Sequence, residues 1–333
     1  MAIKPPSEEW LNQVREPIID PGRNIVDPHH HLWRSPAWTY ALDDLWADTG
    51  SGHKVTKTVF LECRASYHQG GPEHLKPVGE TAFVESIASA SREGPGSEIA
   101  GIVAHTDLTS PHLDEVLDAH EEAANGLFRG IRHSIARDPH PESLSIPGRG
   151  SEGLSTNDAF RNGLERLGER GLSYDSWLYH HQILDFKALA NSAPGTTVVL
   201  DHFATPLGVG PYTDQREEIF LRWCEDIAAL AECPNVVAKL GGLAMPDNGF
   251  GWEKRDLPPS SDEFVEAQAR YYHHTINCFG ANRCMFESNF PVDRLSLSYH
   301  VLWNGLKKIA AQYTEEEQIA LFSSTATRIY KLD

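Results

Sequence analysis

Val26-Asp27-Pro28-His29-His30-His31-Leu32-Trp33 sets the fold assignment for the whole chain. A short apolar run ends in three histidines, where an open nucleotide-binding sheet would favour a glycine-rich turn. In an extended segment alternate side chains share a face, so His29 and His31 are expected to point together while His30 points away. Two imidazoles on one face suit a first-row metal ion and equally make a proton-transfer pair. A polar patch at the start of a loop would look the same, so the motif takes its meaning from what surrounds it.

Seven further apolar runs follow it at intervals. The expected strands are Ile25–Asp27, Thr58–Cys63, Ile99–Ala104, Leu127–Ile131, Ser173–Leu178, Thr197–Asp201, Val236–Lys239 and Cys284–Phe286. Helical periodicity marks Phe83–Ser91, Leu113–Asn125, Asn157–Arg170, Ile219–Ala231, Ser261–Cys278, Ser298–Ala311 and Glu315–Ser323. Alternating strands and helices with nearly continuous apolar strands predict an α/β fold with a parallel sheet covered on both faces. Eight units predict closure into a (β/α)8 TIM barrel; an open doubly wound sheet is the alternative. The expected organisation is an N-terminal arm over residues 1–23, rich in proline, and one barrel domain over residues 24–333. The segments Arg34–His53, Arg137–Thr156, Thr205–Gln215 and Leu243–Ser260 follow strands, so they are expected as long loops around the mouth of the barrel.

Bulk properties narrow the function. The 333 residues carry a formal charge of −18, with 40% hydrophobic and 23% charged residues. Nucleic acid and anionic membrane are poor partners for such a surface. A small anionic substrate stays open, because a few local arginines can outweigh a distant field screened within roughly 8 Å. Five scattered cysteines form no C-x-x-C pair, which points to a reducing compartment, and the N-terminus lacks the apolar core of a signal peptide. A cytoplasmic protein is expected, with a small-molecule substrate and room for a homo-oligomer.

Three more clusters fall at strand ends. Tyr179-His180-His181-Gln182 closes the fifth run, and only one of its two histidines can look into the barrel. Leu200-Asp201-His202-Phe203 ends the sixth, where Asp201 faces away from the His202 ring and is expected to meet a neighbouring strand. Met285-Phe286-Glu287-Ser288-Asn289 ends the eighth, and period-two geometry puts Glu287 and Asn289 on one face. Asn289 can hold a water or a substrate but cannot act as a general base. Phe128-Arg129-Gly130-Ile131-Arg132-His133 offers Arg129 and Arg132 for carboxylate binding, with Arg132 favoured at the strand's exit. Glu62 and Arg64 share a face as a buried pair or a rim contact, and Lys239 suits either a carbonyl-polarising role or a buried salt bridge.

Taken in order, these motifs, together with Asn235-Val236-Val237-Ala238-Lys239-Leu240-Gly241-Gly242 and Phe290-Pro291-Val292, resemble the amidohydrolase-related branch of the amidohydrolase superfamily. The nearest likeness is to its lactonase group, the fuconolactonase-like, sulfomuconolactone and pyrone-dicarboxylate lactone hydrolases, from about Asn24 to Tyr330. The resemblance implies a metal-type barrel that hydrolyses lactones or amides, or in related groups cleaves carbon–carbon bonds. It also implies ligand or substrate-donor roles for His29 and His31, with His202 acting at the rim. The family pattern has an Asp where this chain has Asn289, and a Gly where it has Glu287. Either Glu287 replaces the carboxylate from one layer deeper, or a neutral His180 or His202 serves as base.

The resulting expectation is a hydrolase opening a small carboxylated or hydroxylated lactone. One divalent metal, zinc by preference, would be held through His29 and His31; a metal-free mechanism is the alternative. His202 and His180 would move protons, Glu287 and Asn289 would position water, and Arg132, Arg129, Glu62, Arg64, His181 and Lys239 would bind substrate. Metal-dependent nonoxidative decarboxylation and a catalytically silent ligand-binding barrel are the competing expectations.

Overall fold

The computed structural model describes residues 5–333, so the first four positions of the expected arm lie outside the described residues. Eight parallel strands form one sheet in which neighbours in sequence are neighbours in space. They are β1 (Asn24–His30), β2 (Lys54–Leu61), β3 (Glu98–Ala104), β4 (Phe128–Arg132), β5 (Ser173–Ser176), β6 (Val198–Leu200), β7 (Val236–Leu240) and β8 (Cys284–Phe286). The sheet curls until its ends meet. His30 bridges Phe290, His31 N–H donates to the Phe290 carbonyl at 2.8 Å, and Asn289 N–H donates to the His29 carbonyl at 3.0 Å. This is the (β/α)8 barrel that the alternating pattern predicts.

Two apolar layers explain why the strands read as continuous hydrophobic runs. Inward-facing Val26, Val59, Leu61, Val103, Val199 and Val237 fill the lower barrel, capped by Tyr330 and Leu332 from the C-terminal segment. Outward-facing residues such as Ile25, Phe60, Ile102, Phe128, Tyr174 and Leu200 pack under the helices. Local chemistry starts those helices where the caps predict. The Ser260 and Thr314 side chains each accept from the third backbone N–H that follows, while Glu263 and Glu317 return the bond. Asn157 caps Asp158–Glu169 in the same way through Phe160 N–H.

The structure corrects three local expectations. Arg34–His53 is not an open loop: Trp33–Arg34 pairs with Thr39–Tyr40, and a helix spans Leu42–Thr49 with Leu45 buried beneath it. A helix at Ile183–Ser192 connects β5 to β6, its face of Ile183, Phe186, Leu189 and Ala190 too short to stand out from the apolar run after it. The expected Glu315–Ser323 helix stops at Ile319 and continues through a wider turn into Thr325–Tyr330.

Residues 7–23 run across the outside of the barrel. Glu16 accepts from Ser261 N–H and from Asn304 Nδ2, and Asn304 Oδ1 accepts from Ile19 N–H. Lys307 Nζ donates to the Ile19 and Asp20 carbonyls, and Arg23 pairs with Glu315 at 2.5 Å.

The seam between β1 and β8 hangs on Asp27. Its Oδ1 accepts from Ser288 N–H and its Oδ2 from Tyr299 Oη, both at 2.9 Å. Burial raises the Asp27 pKa to about 6 against these donors. Tyr299→Phe should therefore leave a buried carboxylate oxygen without its donor, at a cost of about 1–3 kcal/mol. Equilibrium urea unfolding checks this: the midpoint should fall while the slope stays constant. An unchanged midpoint would show that this bond does not hold the seam.

Candidate active site

The ends of β1, β4, β6 and β8 converge on a cavity of about 380 Å³ whose floor is His31, Arg132, His202 and Asn289. Glu62, Arg64, His105, His133 and Trp177 form its walls, and Ser145, Ile146, Arg149 and Met245 come from the long loops. Asp247 fixes part of that roof, accepting Ser145 N–H at 2.6 Å and Ile146 N–H at 2.8 Å. The segments 137–156 and 243–260 thus brace one another over the mouth, where loops after strands were expected.

Glu287 organises the floor. One carboxylate oxygen stands 2.6 Å from His202 Nδ1 and the other 2.8 Å from His29 Nδ1, all three side chains being buried. The backbone makes room for this contact. Gly241 and Gly242 end β7 so closely against Glu287 and His202 that a Cβ would fall 2.5 Å from Glu287 Cγ or 2.4 Å from His202 Nδ1. Gly242 also has φ +74°, which a side chain would strain. After β6 the chain takes positive φ at four successive non-glycine residues, His202 to Thr205, and Trp223 Nε1 steadies the turn through the Phe203 carbonyl at 2.7 Å. Such conformations cost roughly 1–2 kcal/mol per residue, and sites of function are where folds tolerate them.

His31 donates Nδ1–H to the Leu61 carbonyl at 2.9 Å, so its Nε2 is bare and faces His29 Nε2 at 3.3 Å. His30 points outward to Thr58 Oγ1, as the alternation requires. Arg132 Nη1 lies 3.3 Å from His29 Nε2, while Arg132 Nε and Nη2 donate to the Glu62 side chain and carbonyl at 3.0 and 2.7 Å. Beneath the floor, Lys239 Nζ touches Asp175 at 2.8 Å and Asp201 at 3.2 Å, and Tyr330 Oη donates to Asp175.

This packing fixes the charge states. Burial, reinforced by Lys239 for His29 and by Arg132 for His31, holds both imidazoles well below their usual pKa, so they are neutral. Burial opposes the charges of Arg132 and Lys239, yet Glu62 and Asp201 outweigh it for the first, and Asp175, Asp201 and Glu287 for the second. Both stay cationic. Burial likewise raises Asp293, to about 7; it accepts from Asn289 Nδ2 at 2.8 Å and from Ala244 N–H at 3.1 Å.

The donor set fits a divalent cation. His29, His202 and Glu287 offer ligand atoms that all lie within 4.8 Å of one another, and Glu287 Oε2 is buried without a hydrogen-bond donor. Four carboxyl groups, from Glu62, Asp175, Asp201 and Glu287, face only two fixed cations here, Arg132 and Lys239. Two imidazoles and a carboxylate are the mixed donors that zinc accepts. The ligand pair expected from sequence was His29 with His31; the structure groups His29 with His202 and Glu287, because Glu287 enters between those two rings.

Other expected site residues lie elsewhere. His180 accepts from Leu207 N–H and packs against Tyr212, with its pKa lowered to about 4 by burial, outside the cavity. His181 contacts the Arg137 carbonyl at the half-exposed rim. The chain enters a short turn at His180, so neither ring follows the strand into the mouth. Arg129 points toward the opposite end, bonded to the carbonyls of Ala100, Gly126 and Phe128. Lys239 sits below the floor and cannot reach the cavity without breaking its ion pairs. Glu62 pairs with Arg132 and not with Arg64. Glu287 and Asn289 do not share a face, since β8 ends at Phe286 and Asn289 adopts φ 55°. Sequence reasoning passed over Asp175 and Asp293. An acid inside the buried strand Ser173–Ser176, and one four residues after Asn289, were the available signals.

Comparison with known proteins agrees with this architecture. The amidohydrolase family model matches residues 26–332. An uncharacterised protein, y4mH, of Sinorhizobium fredii is 31% identical over 92% of this chain and 98% of its own length. An L-fucono-1,5-lactonase of Burkholderia multivorans is 27% identical over 92% of this chain and 96% of its own. A crystal structure of a Burkholderia multivorans amidohydrolase with bound zinc shares the fold, with a TM-score of 0.73 at 23% identity over 93% of this chain and all of that one. With its barrel, its histidine–carboxylate floor and a family match along nearly its whole length, the chain belongs to the amidohydrolase family of hydrolases.

Proposed function

We propose that the chain opens a small lactone, one bearing a carboxylate or hydroxyl groups, by attack of water on the ring carbonyl. The observation that carries this reading is the His202–Glu287 contact at 2.6 Å on the floor of an arginine-walled cavity. The likeness to an L-fucono-1,5-lactonase supports the lactone as substrate class. A small molecule is the only partner the reaction needs.

The chemistry follows from the hydrogen bonds. His202 Nδ1–H donates to Glu287, which leaves Nε2 with its lone pair. Water attacks the carbonyl carbon and passes a proton to that nitrogen, while the Glu287 carboxylate steadies the imidazolium that forms. The guanidinium of Arg132 stabilises the oxyanion, a role for which a fixed buried cation needs no reorganisation. Collapse breaks the ring carbon–oxygen bond, and the proton on His202 goes to the departing alkoxide. Arg64 and Arg149, at the cavity wall, suit an anionic or hydroxylated substituent. Zinc held by His29, His202 and Glu287 would supply Lewis-acid polarisation and a water ionising near pH 7, with His202 then serving as ligand.

Hydrolysis of an aldonolactone panel, followed by acid release, tests the activity. His202→Asn should lower kcat by about 10²–10⁴ with the fold intact. Binding of the lactones without any turnover in the unmodified protein would refute the hydrolase reading in favour of a silent barrel.

Elemental analysis of protein purified without added metal or chelator should find about one zinc more per chain than in Glu287→Ala, with turnover lost on chelation and restored by zinc. Glu287→Ala should remove that zinc. Metal-free protein with full turnover would leave the His202–Glu287 pair as the sole activator of water.

Asp247→Ala should free the roof by removing the acceptor of Ser145 and Ile146 N–H. Steady-state kinetics should show KM rising by about tenfold, the scale of one lost charged hydrogen bond, with kcat less affected. Equal falls in kcat and kcat/KM would place Asp247 in the chemistry instead.

A further inference from the structure

A second group of metal-ligating side chains lies on the outside of the barrel, apart from the reaction cavity. His74 sits in the turn Glu73–Leu75 that leads from β2 toward the helix Val78–Glu93, while His112 immediately precedes the helix Leu113–Ala124 and Glu115 lies in its first turn. Two elements far apart in sequence thus bring three donors together, with ligand atoms all within 4.8 Å.

The arrangement is more specific than a patch of surface charge. The two imidazoles stack at 4.2 Å with their planes 8° apart, and each brings a nitrogen close to one atom: His74 Nε2 and His112 Nδ1 each stand 3.2 Å from Glu115 Oε2. In a tetrahedral zinc site with bonds of about 2.0–2.1 Å, neighbouring ligand atoms are separated by about 3.3 Å. Two of the three edges here already have that length. The His74 contact has hydrogen-bond geometry and the His112 contact does not, so Glu115 is bonded to one ring only. The rings lie in nearly parallel planes, so a shared cation requires the exposed His112 ring to turn out of the stack until its lone pair meets that of His74.

We propose that His74, His112 and Glu115 form a second divalent-metal site, one that takes an imidazole-binding first-row ion such as zinc. His74 is about three-quarters buried, whereas His112 and Glu115 are each 54% exposed, so the remaining coordination positions are open to water. The ion ties the turn to the start of the helix. Its place gives that tie a consequence, because His74 lines a hollow of about 460 Å³ that shares Arg64 and His105 with the reaction cavity. Arg64 itself holds φ 64° at the start of the same connection, whose backbone is gripped by Glu80 through Cys63 and Ala65 N–H. Fixing His74 fixes the far end of the segment that carries Arg64 to the cavity wall. This inference is independent of the lactonase reading, since it concerns an exterior site.

The test is a zinc titration of the full chain, stripped of metal by chelation, followed by calorimetry and repeated with cobalt to read the ligand field. The unmodified protein should take up one more equivalent than His112→Ala, and His74→Ala should lose the same equivalent. Both positions are on the surface, so both variants should keep the circular dichroism spectrum of the parent. Glu287→Ala should retain the outer equivalent, which separates it from the reaction site. Equal stoichiometry and affinity in the parent and His112→Ala would overturn the proposal, as would an outer equivalent that disappears only with Glu287.

Discussion

The bidentate placement of Glu287 is the constraint on which the site depends. Its carboxylate leaves β8 and meets a ring from β1 and a ring from β6, so one side chain spans the end of the barrel. No apolar residue could occupy that position without leaving the buried His202 Nδ1 unpaired, at about 1–3 kcal/mol, and removing the carboxylate beside His29. The paired glycines at the end of β7 are explained by the same contact, because any Cβ there would push Glu287 or His202 out of register. The left-handed turn at His202 completes the device by aiming the ring at Glu287 where an ordinary strand continuation would carry it past.

Beneath this carboxylate the barrel keeps an unusual quantity of charge out of water. Buried ion pairs add little net stability, since desolvation offsets their attraction, but they punish the removal of one partner. Asp201 shows how the arrangement becomes functional: it lies between Lys239 and Arg132, so it holds both cations at fixed positions around His29. Burial, reinforced by Lys239, keeps His29 neutral, while His202 lies nearer the cavity. Depth separates the two imidazoles, since His202 lines the cavity and His29 lies beneath it.

The barrel was legible because its signals were long and repeated. Eight apolar runs with intervening helical periods admit few topologies, and each expected strand overlaps an observed one. Elements of eight to ten residues inside long polar segments, such as Leu42–Thr49 and Ile183–Ser192, were not legible, since their stability comes from tertiary packing of one short face. The site divides along the same line. His29, His31, Arg132, His202, Glu287 and Asn289 stand at or just past strand ends and the structure brings them together there, although Glu287 and Asn289 do not share the face that alternation predicts. His180, His181 and Arg129 failed to follow because direction depends on where the strand stops: β5 ends at Ser176, four residues before His180, and Arg129 lies three residues before the end of β4.

The exchange of carboxylate positions at the end of β8 has a chemical meaning beyond geometry. Asn289 gives its amide to Asp293, so it cannot take a proton and serves to hold a second acid in place. Burial makes that acid hard to ionise, and the nearby His202 ring and the Asn289 amide only partly offset the effect. The carboxylate in contact with the two histidines comes instead from Glu287, which sits below the floor and does not line the cavity. A carboxylate at that depth acts on water only through His202 or through an ion shared with it. Lactone opening tolerates such an indirect base, because the carbonyl is already electrophilic and the alkoxide leaves readily once protonated; an amide, with its poorer leaving group, would ask more of the acid. For the proposed reaction, the architecture therefore suits an ester ring better than an amide.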